Sequence, residues 1–208
     1  MTIRVLSQIE YLRQNFSKLA DTCVPLWHPL GFISCQIRNE PGYCTARIHY
    51  WPKGERRPKQ PDWPIHTHAY DLSSLVLIGR VRDMQYRERK GSQYTVYAVS
   101  YVGDDSSIVS TGRTLAIETC VDQYHAQGEE YRVPIGSFHQ TYVSKNESAV
   151  TIVALSNFQR TDPLVLGHPS RESYPYARMS FDKDIFWKRI DQAIGSLLEK
   201  SGPPGQAR

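Results

Sequence analysis

The hydrophobic period changes twice along the chain. At the start, Ile3, Leu6, Ile9, Leu12, Phe16 and Leu19 recur at steps of three and four, which predicts an amphipathic helix running to about Leu19. From Gly31 the period becomes two. Phe32 to Arg38, the turn residues Asn39-Glu40-Pro41-Gly42, and then Tyr43 to Trp51 read as a β-hairpin. In its second strand Arg47, His49 and Trp51 share one face, while Ile48 and Tyr50 share the other. Further strands are predicted over Leu72 to Tyr86, Gln93 to Val99 after the turn Lys90-Gly91-Ser92, Val109 to Thr119, Tyr131 to Val133, His139 to Val143 and Ala149 to Leu155. Short strands at this spacing suit a sandwich or barrel. The helical period then returns. A cap at Ser180 or Asp182 precedes Ile185, Phe186, Ile190, Ile194, Leu197 and Leu198, which form one stripe.

These elements predict an all-β fold with flanking N- and C-terminal α-helices, organised as one domain over residues 1–208. Its parts are an N-terminal helical segment at 1–24, a β-barrel at 25–178, a C-terminal helix at 179–200 and a flexible tail at 201–208.

Composition narrows the function classes. The 25 Lys and Arg against 21 Asp and Glu leave a formal charge of +4, too small an excess to point to nucleic acid. Cys23, Cys35, Cys44 and Cys120 contain no Cys-x-x-Cys pair, so neither a zinc knuckle nor a redox dithiol is expected, and all are read as reduced thiols. Met1-Thr2-Ile3-Arg4 opens no apolar signal region, and no run approaches the roughly 20 apolar residues that span a bilayer. The expectation is a cytoplasmic protein with no membrane partner.

The chemistry concentrates in two short stretches, Trp63-Pro64-Ile65-His66-Thr67-His68-Ala69-Tyr70-Asp71 and Pro134-Ile135-Gly136-Ser137-Phe138-His139. In an extended strand, residues i and i+2 leave the same face about 7 Å apart. His66 and His68 can therefore converge on one ion, and His139 can supply a third imidazole after a turn that re-enters a sheet. Three neutral imidazoles would leave open coordination positions for substrate and for oxygen or water.

Together the two motifs resemble those of the cupin superfamily, double-stranded jelly-roll β-barrels that hold a divalent metal in the barrel mouth. The resemblance covers Tyr43 to Leu155 and places His66, His68 and His139 on the family's ligand positions. Its acidic ligand is absent, since those positions hold Leu72 and Ser73. Asp71 lies one step early, and simple alternation aims it away from the metal. A bulge or loop at Ala69-Tyr70 would return it, so Asp71 is carried as a candidate ligand whose competing role is to support a ligand from behind or to cap a turn. The segment between the motifs leaves room for an extra hairpin around Gly103-Asp104-Asp105 and for a lid. Within the superfamily the chain is most similar to the three-histidine thiol dioxygenases. It departs from them at two places: Thr151-Ile152-Val153-Ala154-Leu155 replaces their Ser-His-Tyr relay strand, and Ser73 stands at their cross-linking cysteine.

The resemblance implies iron(II) as the leading metal, with nickel, manganese, zinc and copper as alternatives. Arg47 and His49, then Arg38, are expected to bind an anionic small-molecule substrate, an amino acid or thiol-like compound; the competing reading puts both arginines on a solvated sheet face. Tyr70 and Tyr142 flank the motifs and are candidate catalytic hydrogen-bond donors, with plain packing as the alternative. The basic loop Lys53-Gly54-Glu55-Arg56-Arg57-Pro58-Lys59-Gln60-Pro61 is read as solvated rather than as an anion site, and His28, His125 and His168 as surface or turn residues. The resulting function is a mononuclear non-haem iron dioxygenase. A non-catalytic small-molecule-binding cupin and a metal-dependent isomerase or lyase are its rivals, and edge strands with apolar helices suggest a homodimer.

Overall fold

A computed structural model describes residues 3–40, 43–102, 105–168 and 178–200. In chain order the elements are α1 (Ile3–Gln14), α2 (Phe16–Thr22), β1 (Leu26–Trp27), β2 (Leu30–Gly31), β3 (Ile33–Glu40), β4 (Tyr43–Trp51), β5 (Arg57–Pro58) and β6 (Asp71–Ile78). They continue with β7 (Arg80–Val102), β8 (Asp105–Ala126), β9 (Glu130–Val133), β10 (Phe138–Tyr142), β11 (Ala149–Ser156), β12 (Leu164–Gly167) and α3 (Lys183–Lys200). The protein is mostly β. Six strands form one sheet in the order β1-β3-β4-β11-β6-β9, and β10, β7 and β12 with β8 form a second.

Strand alternation gives the six-stranded sheet two apolar faces. Ile33, Cys35, Ile37, Ala46, Ile48, Tyr50, Leu75, Leu77, Val150, Ile152 and Ala154 meet the helices, from which Val5, Leu12, Leu19, Phe186, Trp187, Ile190 and Ile194 pack down. The opposite face carries Trp51, Leu72, Val76, Val153 and Leu155. Fully burying one such aliphatic side chain contributes about 1.5–3 kcal/mol, so this sandwich supplies the frame on which the site is mounted.

Several sequence expectations shift. The single N-terminal helix is two, because Asn15 turns its side-chain amide onto the Tyr11 carbonyl at 2.9 Å and leaves helical geometry. Leu6 and Ile185, assigned to apolar stripes, are exposed, while Val5 and Trp187 take the buried positions. Asp182 rather than Ser180 caps α3, accepting from the Ile185 N–H at 2.9 Å. The Leu72 to Tyr86 run is cut at Gly79, whose φ of +79° turns the chain from the first sheet into the second. Any Cβ at Gly79 would lie 2.2 Å from the Ser148 carbonyl oxygen, so the corner admits only glycine. Lys90-Gly91-Ser92 makes no turn; β7 runs through it, and the pairing with β8 slips between Arg89 and Tyr94. Pro41-Gly42, Gly103-Asp104 and the tail 201–208 lie outside the described residues. The described strands do not close into a barrel.

Candidate metal centre

The chain from Trp63 to His68 is extended and fills the gap between β10 and β12. His66 N donates to the His139 carbonyl at 3.0 Å and His139 N to that of His66 at 2.9 Å. On the other side Thr67 N bonds Leu164 O at 2.8 Å and Leu166 N bonds Ile65 O at 2.9 Å. The Thr67 hydroxyl accepts from Leu164 N at 2.9 Å. Alternation then sorts the side chains: Ile65 and Thr67 are buried on one side, and His66 and His68 leave by the other. Trp63 anchors the start of the segment, with its ring so close over Gly167 that a Cβ there would lie 2.4 Å away.

The turn before His139 is tied to the same segment. Ser137 N bonds Pro134 O at 3.1 Å, with Gly136 at φ +72° supplying the left-handed position. Gly136 N donates to His68 O at 3.0 Å. The two histidine motifs are thus stitched together through their own backbones.

This stitching brings the three rings to centroid separations of 4.7 Å for His66–His68, 4.5 Å for His66–His139 and 4.9 Å for His68–His139. One ring nitrogen from each lies within 4.8 Å of the others. His66 Nδ1 is 2.8 Å from the Pro64 carbonyl, which can only accept, so Nδ1 holds the proton and Nε2 is the lone-pair nitrogen. Burial lowers the pKa of all three imidazoles; beyond it, mutual repulsion contributes for His68 and His139. All three are therefore neutral at pH 7, the state that binds a metal. His139 is 3% exposed, and neither of its ring nitrogens has a hydrogen-bond partner among the described residues. A divalent metal fits this donor set: it would satisfy buried lone pairs that the protein leaves unmet.

Asp71 is not among the clustered ligands. Its Oδ1 accepts from Ile135 N at 2.8 Å and its Oδ2 from Asn157 Nδ2 at 3.2 Å, so it caps the turn that leads to His139. No bulge at Ala69-Tyr70 carries it back; β6 begins at Asp71, and alternation turns it from the side that Leu72 faces.

Around the triad, Tyr70 stacks on His68 at 4.8 Å and 14° and receives a hydrogen bond from Arg47 Nη1 at 3.3 Å. His49 lies on the Arg47 side of β4, and its pKa falls to about 3 through burial, then Arg47 and His66. The other substrate and catalytic candidates are elsewhere. Arg38 covers the Tyr11 ring at 4.9 Å and reaches Gln8 and Glu40, because the register slip after Gln36 turns it toward α1. Tyr142 is 51% exposed, three residues past His139 and hence on the opposite face of β10.

The remaining histidines are not simply superficial. His28 stacks on Phe32 at 4.4 Å and 12°, and Phe32 touches His49 at 4.7 Å. Burial, then His49, Arg178, His66 and Arg47, hold the His28 pKa well below its usual value. The sequence around His28 has no period that marks it; only the fold brings it here. His125 stacks on Tyr131 at 5.0 Å with a buried Nε2, and His168 stacks on Tyr94 at 5.8 Å. The basic loop is structural: Arg56 donates to the carbonyls of Pro52, Glu55, Val143, Ser144 and Glu147, and Arg57 pairs with Glu55 over the Trp27 ring. Thr151 is fully buried with a hydroxyl that has no hydrogen-bond partner among the described residues, and Ile152 faces the helices.

Fold and site together define a β-rich protein with a three-histidine cluster able to hold a divalent metal, an arrangement compatible with a cupin. No family model matches the sequence, and no curated protein matches it. Among solved structures, the crystal structure of Drosophila melanogaster CENP-C bound to CAL1 is similar at 11% identity, covering 72% of this chain and 96% of that one with a TM-score of 0.39. No helix among the described residues is long and apolar enough to cross a membrane.

Proposed function

We propose that the two sheets are the halves of a cupin jelly roll, and that the protein is a mononuclear non-haem iron(II) dioxygenase acting on a small anionic metabolite, amino acid or thiol-like. The observation that carries this reading is the convergence of His66, His68 and His139 with no carboxylate among them. When bound, iron(II) would supply adjacent open positions at which a chelating substrate and dioxygen react. The chain's own residues do the rest. Arg47 supplies the positive charge that attracts and orients an anion, and its bond to the Tyr70 hydroxyl fixes that ring beside His68. His49 remains neutral and cannot compete with Arg47 for the anion. Phe32, Trp51 and Phe158 pack around this wall and exclude water from it. Cys23, Cys35 and Cys120 form no disulfide, which suits a cytoplasmic protein.

The test is metal analysis of protein purified without added metal, alongside His66→Ala and His139→Ala. Stoichiometric iron in the wild type and its loss in both variants is the expected result; metal retained equally by all three overturns the reading. Oxygen uptake by iron-loaded protein with amino-acid and thiol substrates is expected next. Metal binding without uptake for any of them would move the assignment to an isomerase or lyase using the same three ligands.

A further inference from the structure

A neutral imidazole that gives one nitrogen to a metal keeps an N–H on the other, and that N–H needs an acceptor to hold its tautomer and ring plane. His66 has the Pro64 carbonyl. His139 has none among the described residues, although it is the most deeply buried of the three.

The side chain beside it is Gln85. In the β7–β10 pairing His139 stands opposite Gln85 and Thr141 opposite Asp83. Directly opposed residues of an antiparallel pair leave the same face with Cβ atoms about 4.5–5.5 Å apart. The Gln85 amide is held by its nitrogen: Nε2 donates to Asp83 Oδ2 at 2.8 Å and to the Arg132 carbonyl at 2.6 Å. Both acceptors are fixed, since Asp83 is 1% exposed and Arg132 O is main chain of β9. An amide has two N–H donors and one carbonyl oxygen. With the donors spent, Oε1 is all that Gln85 has left to offer, and it is an acceptor.

We propose that Gln85 is the positioning residue of the metal centre: its Oε1 accepts the N–H of His139 in the metal-bound protein, with Asp83 and Arg132 locking the amide so that oxygen rather than nitrogen meets the ring. The contact forms when the His139 imidazole turns onto the held amide oxygen; such bonds are commonly open in a metal-free or substrate-free state. Asp83 thereby acts on the metal at one remove, through an amide that it cannot itself replace. The inference rests on reading the triad as a metal site.

The experiment uses zinc, which is diamagnetic, as the probe. In wild-type protein labelled with nitrogen-15 histidine and loaded with zinc, His139 is expected as a single tautomer with a slowly exchanging, hydrogen-bonded N–H. Gln85→Met, similar in length but without an acceptor, is expected to weaken zinc binding by about 10–100-fold and to lose that N–H signal. Apo thermal stability is a separate readout; it should fall too, because the variant leaves the buried Asp83 carboxylate without its amide donor, so the N–H signal rather than stability reports the contact. A zinc-loaded wild type whose His139 N–H exchanges rapidly, or a folded Gln85→Met with wild-type zinc affinity and the N–H signal intact, overturns the proposal while leaving the metal site standing. A wild type that binds no zinc, iron or other divalent metal overturns both. The wild-type measurement decides the matter even where the variant does not fold.

Discussion

The Asp71 carboxylate accepts a hydrogen bond from the backbone N–H of Ile135 at 2.8 Å, linking the end of the first histidine motif to the turn that opens the second. Asp71→Ala therefore leaves a part-buried N–H unmet and loosens the turn. The expected cost is about 1–3 kcal/mol in denaturant unfolding. Metal stoichiometry should stay at the wild-type value, because the three imidazoles remain; a loss of stoichiometry as complete as in His139→Ala would mean that Asp71 is a ligand after all.

Metal binding should stabilise the fold, because the three ligands come from segments that converge only in the folded chain. At a free metal concentration 100 times Kd the gain is about 2.7 kcal/mol. Differential scanning calorimetry with and without metal should show a rise in Tm for the wild type, abolished in His66→Ala.

Acid should destabilise the metal-free protein once the pH falls below the ordinary imidazole value. Burial lowers the pKa of His28, His49, His66, His68 and His139, so the unfolded chain binds more protons than the folded one once the pH drops below the ordinary imidazole value. Stability contributed by neutral burial is fully present above the ordinary imidazole value of 6.5 and is lost as the pH falls toward the folded values, which for His49 is about 3. Urea midpoints measured at intervals below neutrality should fall steadily. Replacing His49 with Phe should flatten the slope, and an unchanged slope would show that His49 titrates normally.

Gly167→Ala drives a Cβ into the Trp63 ring, which has nowhere to go because it also packs on Tyr97 at 4.8 Å. The displacement should cost about 1–3 kcal/mol and weaken metal binding, since Trp63 starts the segment that carries His66 and His68. Trp63→Leu in the Gly167→Ala background should restore part of both; no recovery would mean that the clash is absorbed elsewhere.

Arg47→Met should raise KM for the substrate by at least tenfold with metal content unchanged, and Tyr70→Phe, which removes only the bond at 3.3 Å, should have a smaller effect in the same direction. Steady-state oxygen uptake over a range of substrate concentration separates the two parameters. An effect of Arg47→Met on kcat alone would place Arg47 outside substrate binding.

Much of this site follows from rules that act over a few residues, and these the sequence by itself determined. An extended backbone sends His66 and His68 to one side, and the same alternation puts Arg47 and His49 together on β4. Gly79 and Gly136 occur where the backbone enters the left-handed region, one at the corner between sheets and the other in the turn before His139. What only the tertiary structure decided is which partners meet. Alternation says that two side chains share a face, but not whether that face is core, helix interface or solvent. Thus Arg38 lies against Tyr11, Tyr142 points outward, and His28 arrives beside His49 through Phe32. The hydrogen bonds of Asp71 arise in the same way: a carboxylate goes to nearby donors, and the Ile135 N–H and Asn157 amide come from distant parts of the chain. Local sterics fix direction, whereas burial and hydrogen-bond pairing depend on segments brought together only by packing.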